Sequence, residues 1–138
     1  MKRIIFIAIL GLLAFTGCKK EPSLAELLCG EWRGSELSVD AGIYIRFAAD
    51  GTFELYQKMG TEGFELRRGN WALAGDILSG TYNDGEPWAA SYKASVNDDK
   101  LTLVSQKEGA ETGVYSRCSI PGGIKTGCTV VVKSHYLF

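Results

Sequence analysis

The run Ile43-Tyr44-Ile45-Arg46-Phe47, then Ala48-Ala49-Asp50-Gly51, then Thr52-Phe53-Glu54-Leu55-Tyr56, decides how the chain folds. Ile43, Ile45 and Phe47 alternate with Tyr44 and Arg46. Beyond the turn, Phe53 and Leu55 continue the apolar face, with Glu54 and Tyr56 opposite. Residues two apart share one face of a strand, so this spacing predicts two half-buried strands. Asp-Gly between them is a strong hairpin signal, because glycine accepts the positive φ of a tight turn.

The same cadence extends both ways. Upstream, Gly30-Glu31-Trp32 opens a strand running to about Val39, turned by Asp40-Ala41-Gly42. Downstream, Gly60 to Gly63 turns the chain, and Phe64 and Leu66 lead through Gly69 to Trp71 and Leu73. Ala74-Gly75-Asp76 turns into Ile77–Tyr82, and Asn83-Asp84-Gly85 turns again. Trp88, Ala90, Tyr92, Ala94 and Val96 then alternate with Ala89, Ser91, Lys93 and Ser95. Asn97-Asp98-Asp99 precedes Leu101 and Leu103, and a polar loop at Glu108–Thr112 leads to Val114–Ile120. The last strand is expected at Cys128–Ser134. The sole helical signal is Ser23-Leu24-Ala25-Glu26, with capping-box spacing and Leu24, Leu27 and Leu28 on one face. About eight short strands with regular turns predict an all-β fold, an antiparallel up-and-down barrel or a sandwich. Closure into a barrel removes exposed strand edges.

Composition agrees. Of 138 residues, 17 are Gly and only 3 Pro, with 15 aromatics, 46% hydrophobic and 22% charged residues. That balance excludes a disordered chain, a coiled coil and a collagen-like repeat. A net charge of −1, with no basic run beyond the N-terminus, argues against a nucleic-acid partner.

Lys2 and Arg3 precede the apolar run Ile4 to Phe15, followed by Thr16-Gly17-Cys18. This is the pattern of a secretory signal, too short to span a bilayer, which takes ~20 apolar residues. The Gly17-Cys18 junction resembles the lipobox of bacterial lipoproteins. That resemblance implies cleavage before Cys18, acylation of Cys18 with chains of the palmitate kind, and residence in the bacterial cell envelope, as an outer-membrane lipoprotein facing the periplasm or the surface. The expected organisation is 1–17 signal peptide, 18–22 lipidated tether and 23–138 barrel domain. Loss of residues 1–17 leaves 121 residues with 13 basic and 16 acidic side chains, a net charge of −3.

Three further cysteines remain, an odd number for an oxidising compartment. Cys118 and Cys128 flank Pro121-Gly122-Gly123; a hairpin folded about Gly123 would set them opposite each other for a disulfide, leaving Cys29 a buried thiol. Cys29 pairing with either one is the alternative, since first and last strands are neighbours in a closed barrel. With no Cys-x-x-Cys and a single histidine, His135, no metal site is expected.

Gly30-x-Trp32 after a leucine-rich turn resembles the first signature of the lipocalins, in which the tryptophan plugs the closed end of an eight-stranded barrel. The order Gly-x-Trp, then Phe47-Ala48-Ala49-Asp50-Gly51-Thr52-Phe53, then Gly69-Asn70-Trp71 with Gly75-Asp76-Ile77-Leu78, is similar to the small lipocalin-like lipoproteins of Bacteroidetes, over about residues 27 to 104. It assigns Gly30 and Trp32 a structural role. Candidates for the arginine that covers this tryptophan in lipocalins are Arg117 and Lys133; the later Thr-Asp and Arg signatures have no clear copy.

An apolar interior is expected from Phe47, Phe53, Trp71, Trp88 and Tyr92, a lining suited to a small apolar ligand. The alternative is a filled barrel serving as a protein- or glycan-interaction module, with Tyr44, Arg46, Tyr56 and Lys93 as an exposed aromatic-basic patch. No enzyme is expected: His135 lies three residues from the C-terminus, and most acidic residues occupy turns for backbone reasons. No cofactor is implied. Terminal Phe138 resembles the end of outer-membrane barrels, but strands such as Phe53–Lys58 and Ile77–Tyr82 are shorter than those barrels need and carry Glu, Gln, Lys or Gly, which argues against an integral barrel.

Overall fold

The computed structural model describes residues 21–35, 42–58, 63–109 and 112–131. The expected signal, Cys18, the turn residues Asp40 and Ala41, Lys133, His135 and Phe138 lie outside the described residues. Helix α1 (Leu24–Leu28) begins where the capping box places it, with Ser23 Oγ accepting from the Glu26 N–H at 3.2 Å. Eight strands follow: β1 (Gly30–Gly34), β2 (Ile43–Phe47), β3 (Thr52–Lys58), β4 (Phe64–Ala74), β5 (Ile77–Tyr82), β6 (Tyr92–Asn97), β7 (Lys100–Ser105) and β8 (Thr112–Arg117). Each pairs antiparallel with the next, and β1 pairs with β8, so the sheet closes on itself as an up-and-down barrel.

The β2–β3 hairpin has the predicted register, Ile45 opposite Leu55 and Phe47 opposite Phe53. Its turn is made by Gly51 at φ 88° and by the Asp50 carboxylate, which accepts from the Thr52 N–H and hydroxyl at 3.0 and 2.6 Å. The β2–β3, β4–β5 and β6–β7 turns lie at the same end as α1, which packs across that end against β6.

The C-terminal segment departs from expectation. The chain around Gly123 forms a short helix, α2 (Gly122–Gly127), in place of a hairpin. The following β9 (Thr129–Val130) pairs in parallel with β4 at Glu65 and Leu66. Cys118 and Cys128 therefore do not face each other across antiparallel strands, and Cys29, Cys118 and Cys128 are free thiols. Helical spacing puts Ile120, Ile124 and Cys128 on one side of this segment, against the outer face of the barrel. Glu31 fastens it, its carboxylate accepting from the Ile120 N–H at 2.8 Å and from Lys125 Nζ at 2.7 Å.

This outer cover creates a second hydrophobic core of Tyr56, Leu66 and Ile120, with Tyr44, Phe64, Cys118 and Cys128 around it. It also dissolves the expected surface patch. Tyr56 is 3% exposed beneath the C-terminal segment, Tyr44 leans on Phe64, and Arg46 is paired with Glu54 at 3.0 Å. Lys93, on β6, reaches Asp76 at 3.8 Å, across the barrel from the other three.

The segment from Trp88 to Ser91 is likewise not strand. Residues 83–91 form a loop that folds back on β5, with the Trp88 N–H donating to Gly80 O and the Tyr82 N–H to Glu86 O. Strand β6 starts only at Tyr92, and β8 ends at Arg117 instead of reaching Ile120.

Candidate ligand site in the barrel interior

Trp32 closes the floor. Its ring is wholly buried, and its indole N–H donates to Leu28 O at 2.8 Å. The Arg117 guanidinium lies 4.2 Å from the ring centroid and donates to Leu27 O at 2.8 Å and Cys29 O at 3.3 Å. One arginine thus binds the tryptophan face and the C-terminal carbonyls of α1, which joins a cation–π contact to a helix cap. Gly30 leaves the room: its φ is 133°, and a Cβ there would meet Arg117 Nη1 at 2.7 Å. Of the two candidates for this role, the structure places Arg117 there.

All five residues expected to line the interior belong to one cluster. Phe47 and Phe53 are cross-strand partners, each 1% exposed. Trp71 packs its edge on Phe47 at 5.8 Å and donates to Ala48 O at 3.1 Å, which places it at the α1 end beside the β2–β3 turn. Above the floor, Tyr82, Phe53, Trp88 and Tyr92 form a chain of edge-to-face rings, at 5.7, 5.2 and 6.3 Å in that order.

Trp88 differs from its neighbours because it enters from a loop. It fits against β5 where Gly80 lacks a side chain; a Cβ at Gly80 would fall on the indole, 2.5 Å from Cζ2 and 2.6 Å from Nε1. The lower barrel is solid. A chamber able to hold even a water would leave exposed surface on its lining, yet Leu28, Trp32, Ile45, Phe47, Phe53, Leu55, Leu78, Leu101 and Leu103 are 0–1% exposed.

The polar groups of the interior had no clear signal in the sequence. Tyr115 is buried in the cluster, and burial pushes its phenol well up, with the Tyr92 phenol adding to the effect. Tyr92 is raised by burial and by Tyr82. The Tyr92 and Tyr115 hydroxyls therefore stay protonated at neutral pH and act as neutral hydrogen-bonding groups.

On the adjoining wall, antiparallel partners share a face. Leu55 opposite Arg67, and Ile43 opposite Gln57 opposite Glu65, place Gln57, Glu65 and Arg67 on the inner side. Arg67 and Gln57 are 4% and 6% exposed, and Arg67 Nη2 meets Glu65 at 3.0 Å. Phe64 and Leu66, the apolar residues of this stretch, point outward into the second core. Polarity is thus inverted along the first half of β4, apolar outside and charged inside.

Burial raises the Cys29 and Cys118 thiols, with the Glu26 and Glu31 charges adding respectively. They are poor thiolates. Among the described residues, no three His, Cys, Asp or Glu side chains converge as a metal site, and no helix is long and apolar enough to cross a membrane.

No curated protein matches the chain. Among solved structures, the solution NMR structure of a protein from Bacteroides uniformis ATCC 8492 shares the fold, with a TM-score of 0.56 and 17% identity over 67% of this chain and 90% of that one. The sequence model of the lipocalin-like domain matches residues 28–103, more than half of the chain, from the helix end that receives Arg117 to the seventh strand of the closed barrel. With floor, barrel closure and sequence match in agreement, this chain is a member of the lipocalin-like domain family.

Proposed function

We propose that this protein is a lipid-anchored cell-envelope lipoprotein whose barrel binds a small apolar molecule without catalysis. The observation that carries the binding reading is Trp88: the interior is plugged by one ring delivered from a loop, held on a glycine platform. A ligand chain takes the place of that ring. Burying its surface contributes ~25 cal/mol per Å², offset by the cost of moving the loop. The solid floor of Trp32 and Leu28 stays as it is. Anchoring rests on the lipobox resemblance at Gly17-Cys18, since two or more acyl chains hold a protein stably on a bilayer.

Native mass spectrometry of the protein extracted from its own membranes tests the binding reading. A co-purifying mass of a few hundred daltons, lost on extraction with organic solvent, is the expected result; apoprotein alone in repeated preparations refutes it. Replacing Cys18 by Ser should move the protein from the membrane to the soluble fraction, and persistence in the membrane would remove the anchor.

A second reading draws on the nine side chains that fill the lower barrel: a packed scaffold that presents its loops to a protein or glycan. It requires that no ligand displaces Trp88.

A further inference from the structure

We propose that the outer wall of β1–β4, with the α2 segment lying across it, is the face that rests on an anionic lipid bilayer. The inference rests on the anchor reading and adds the surface by which the anchored barrel lies down. One row of outer positions crosses this wall: Glu31 on β1 opposite Arg46 on β2, Arg46 opposite Glu54 on β3, and Glu54 opposite Arg68 on β4. Lys125 of α2 closes the row on Glu31 at 2.7 Å, and Glu54 is shared by Arg46 at 3.0 Å and Arg68 at 3.2 Å. The signs are layered in depth. The Glu31 and Glu54 side chains are each 18% exposed, whereas those of Lys125, Arg46 and Arg68 are 40%, 46% and 50% exposed. Solvent therefore meets three cations above two sunken carboxylates.

The far side of the barrel has the opposite balance. Among the described residues, the outer wall of β1–β4, its β2–β3 turn and its α2 cover carry five cations, Arg33, Arg46, Lys58, Arg68 and Lys125, against three carboxylates, Glu31, Asp50 and Glu54. From Asp76 to Glu108, the side that includes β5, β6 and β7, six carboxylates stand against three lysines. Residues 118–131, which cross the positive wall, contain Lys125 and no acid. A chain with a net charge of −3 after loss of residues 1–17 thus gathers a positive surplus on one wall, which turns that wall toward a negative surface. Tether length and position select a bilayer as that surface. Ser23, the cap of α1, is five residues beyond Cys18, at most ~18 Å of chain at ~3.6 Å per residue, so the α1 end stays near the membrane. The charged row lies beside that end, one residue from the Phe47–Phe53 pair that flanks the β2–β3 turn. Guanidinium forks matched to lipid phosphates, with Lys19-Lys20 in the tether, complete the complementarity.

The test places the purified lipidated protein in vesicles of phosphatidylcholine, alone or mixed with phosphatidylglycerol. Amines are labelled with an acetylating reagent, and each lysine is read by peptide mass spectrometry. In the anionic vesicles, labelling of Lys58 and Lys125 should fall by about fivefold or more, the equilibrium factor of one cation near such a surface. Lys93 on β6 and Lys107 beyond β7 should keep their rates. Salt at 1 M, with a screening length of ~3 Å, should restore the labelling on the unaltered protein. Arg46→Gln combined with Arg68→Gln should abolish the difference between the two kinds of vesicle without added salt. Equal labelling of both lysine pairs in anionic vesicles, or protection that 1 M salt leaves intact, overturns the proposal while the anchor stands. Shielding of Lys58 and Lys125 by a soluble acidic polysaccharide but not by phosphatidylglycerol also overturns it and gives the wall to a carbohydrate. A chain without acyl mass at Cys18 refutes the anchor and the bilayer contact together.

Discussion

Replacing Gly80 by alanine puts a methyl carbon where the Trp88 indole now lies. A Cβ there falls 2.5 Å from Cζ2 and 2.6 Å from Nε1, whereas carbon atoms rest in contact at ~3.5–4.0 Å. The ring must retreat by about 1 Å or leave. Tilting within a packed interior costs about 1–3 kcal/mol. Full expulsion forfeits the burial of a tryptophan, ~150–250 Å² and hence at most ~4–6 kcal/mol. Gly80 has an ordinary strand φ, so alanine itself is tolerated and gains up to about 0.5–1 kcal/mol over glycine in a strand. The expected cost of Gly80→Ala is therefore about 1–3 kcal/mol in wild type and near zero in a Trp88→Ala background. Urea unfolding followed by circular dichroism on the four proteins gives a double-mutant cycle, with an expected coupling above ~1 kcal/mol. Equal costs in the two backgrounds would show that Trp88 does not occupy the barrel against Gly80.

Arg117→Met removes the contact over Trp32 and both carbonyl bonds, so unfolding by urea should show a loss of about 1–3 kcal/mol, and Arg117→Lys should recover less than half of it. In Glu31, burial opposes ionisation, but the Lys125 and Ile120 hydrogen bonds outweigh it and hold the carboxyl below its ordinary value of 4.5. A folded value below the unfolded one stabilises fully above that range and is lost as pH falls through the folded value. Hydrogen exchange of residues 120–131 should accelerate relative to the barrel as pH falls below the ordinary value of 4.5, and Glu31→Gln should show the faster exchange already at pH 7. Alkylation of denatured, unreduced protein should add three labels, at Cys29, Cys118 and Cys128; a single label would reveal a disulfide.

The parts of the fold that local chemistry determines were legible. Asp50-Gly51 fixes its hairpin through backbone conformation and an Asp side chain, and the capping box fixes the start of α1. Alternation also located most strands. What alternation cannot say is which face looks inward. Phe64 and Leu66 are apolar, yet they face outward because a helix some sixty residues later covers them. That inversion puts Glu65 and Arg67 inside, and no local signal announces it.

Trp88 failed for a related reason. Its spacing to Ala90 and Tyr92 reads as strand, but Pro87 has no N–H to give to a ladder, and Gly80 offers a seat on the neighbouring strand. Gly122 to Gly127 has poor helix propensity, and its helix exists because Glu31 and the outer core hold it in place. The five aromatics expected inside do share one cluster, but Trp71 belongs to the α1 end and Trp88 to a loop.

The most direct test of the account is the indole region of a nitrogen-15 NMR spectrum, in which Trp32, Trp71 and Trp88 give separate signals, recorded while dodecanol is added. Displacement of the loop ring by a chain predicts that the Trp88 signal moves or broadens first and most, while Trp32, bonded to Leu28 O in the floor, stays in place. A Trp88 signal that holds its position at saturating dodecanol would contradict the account and leave a filled barrel.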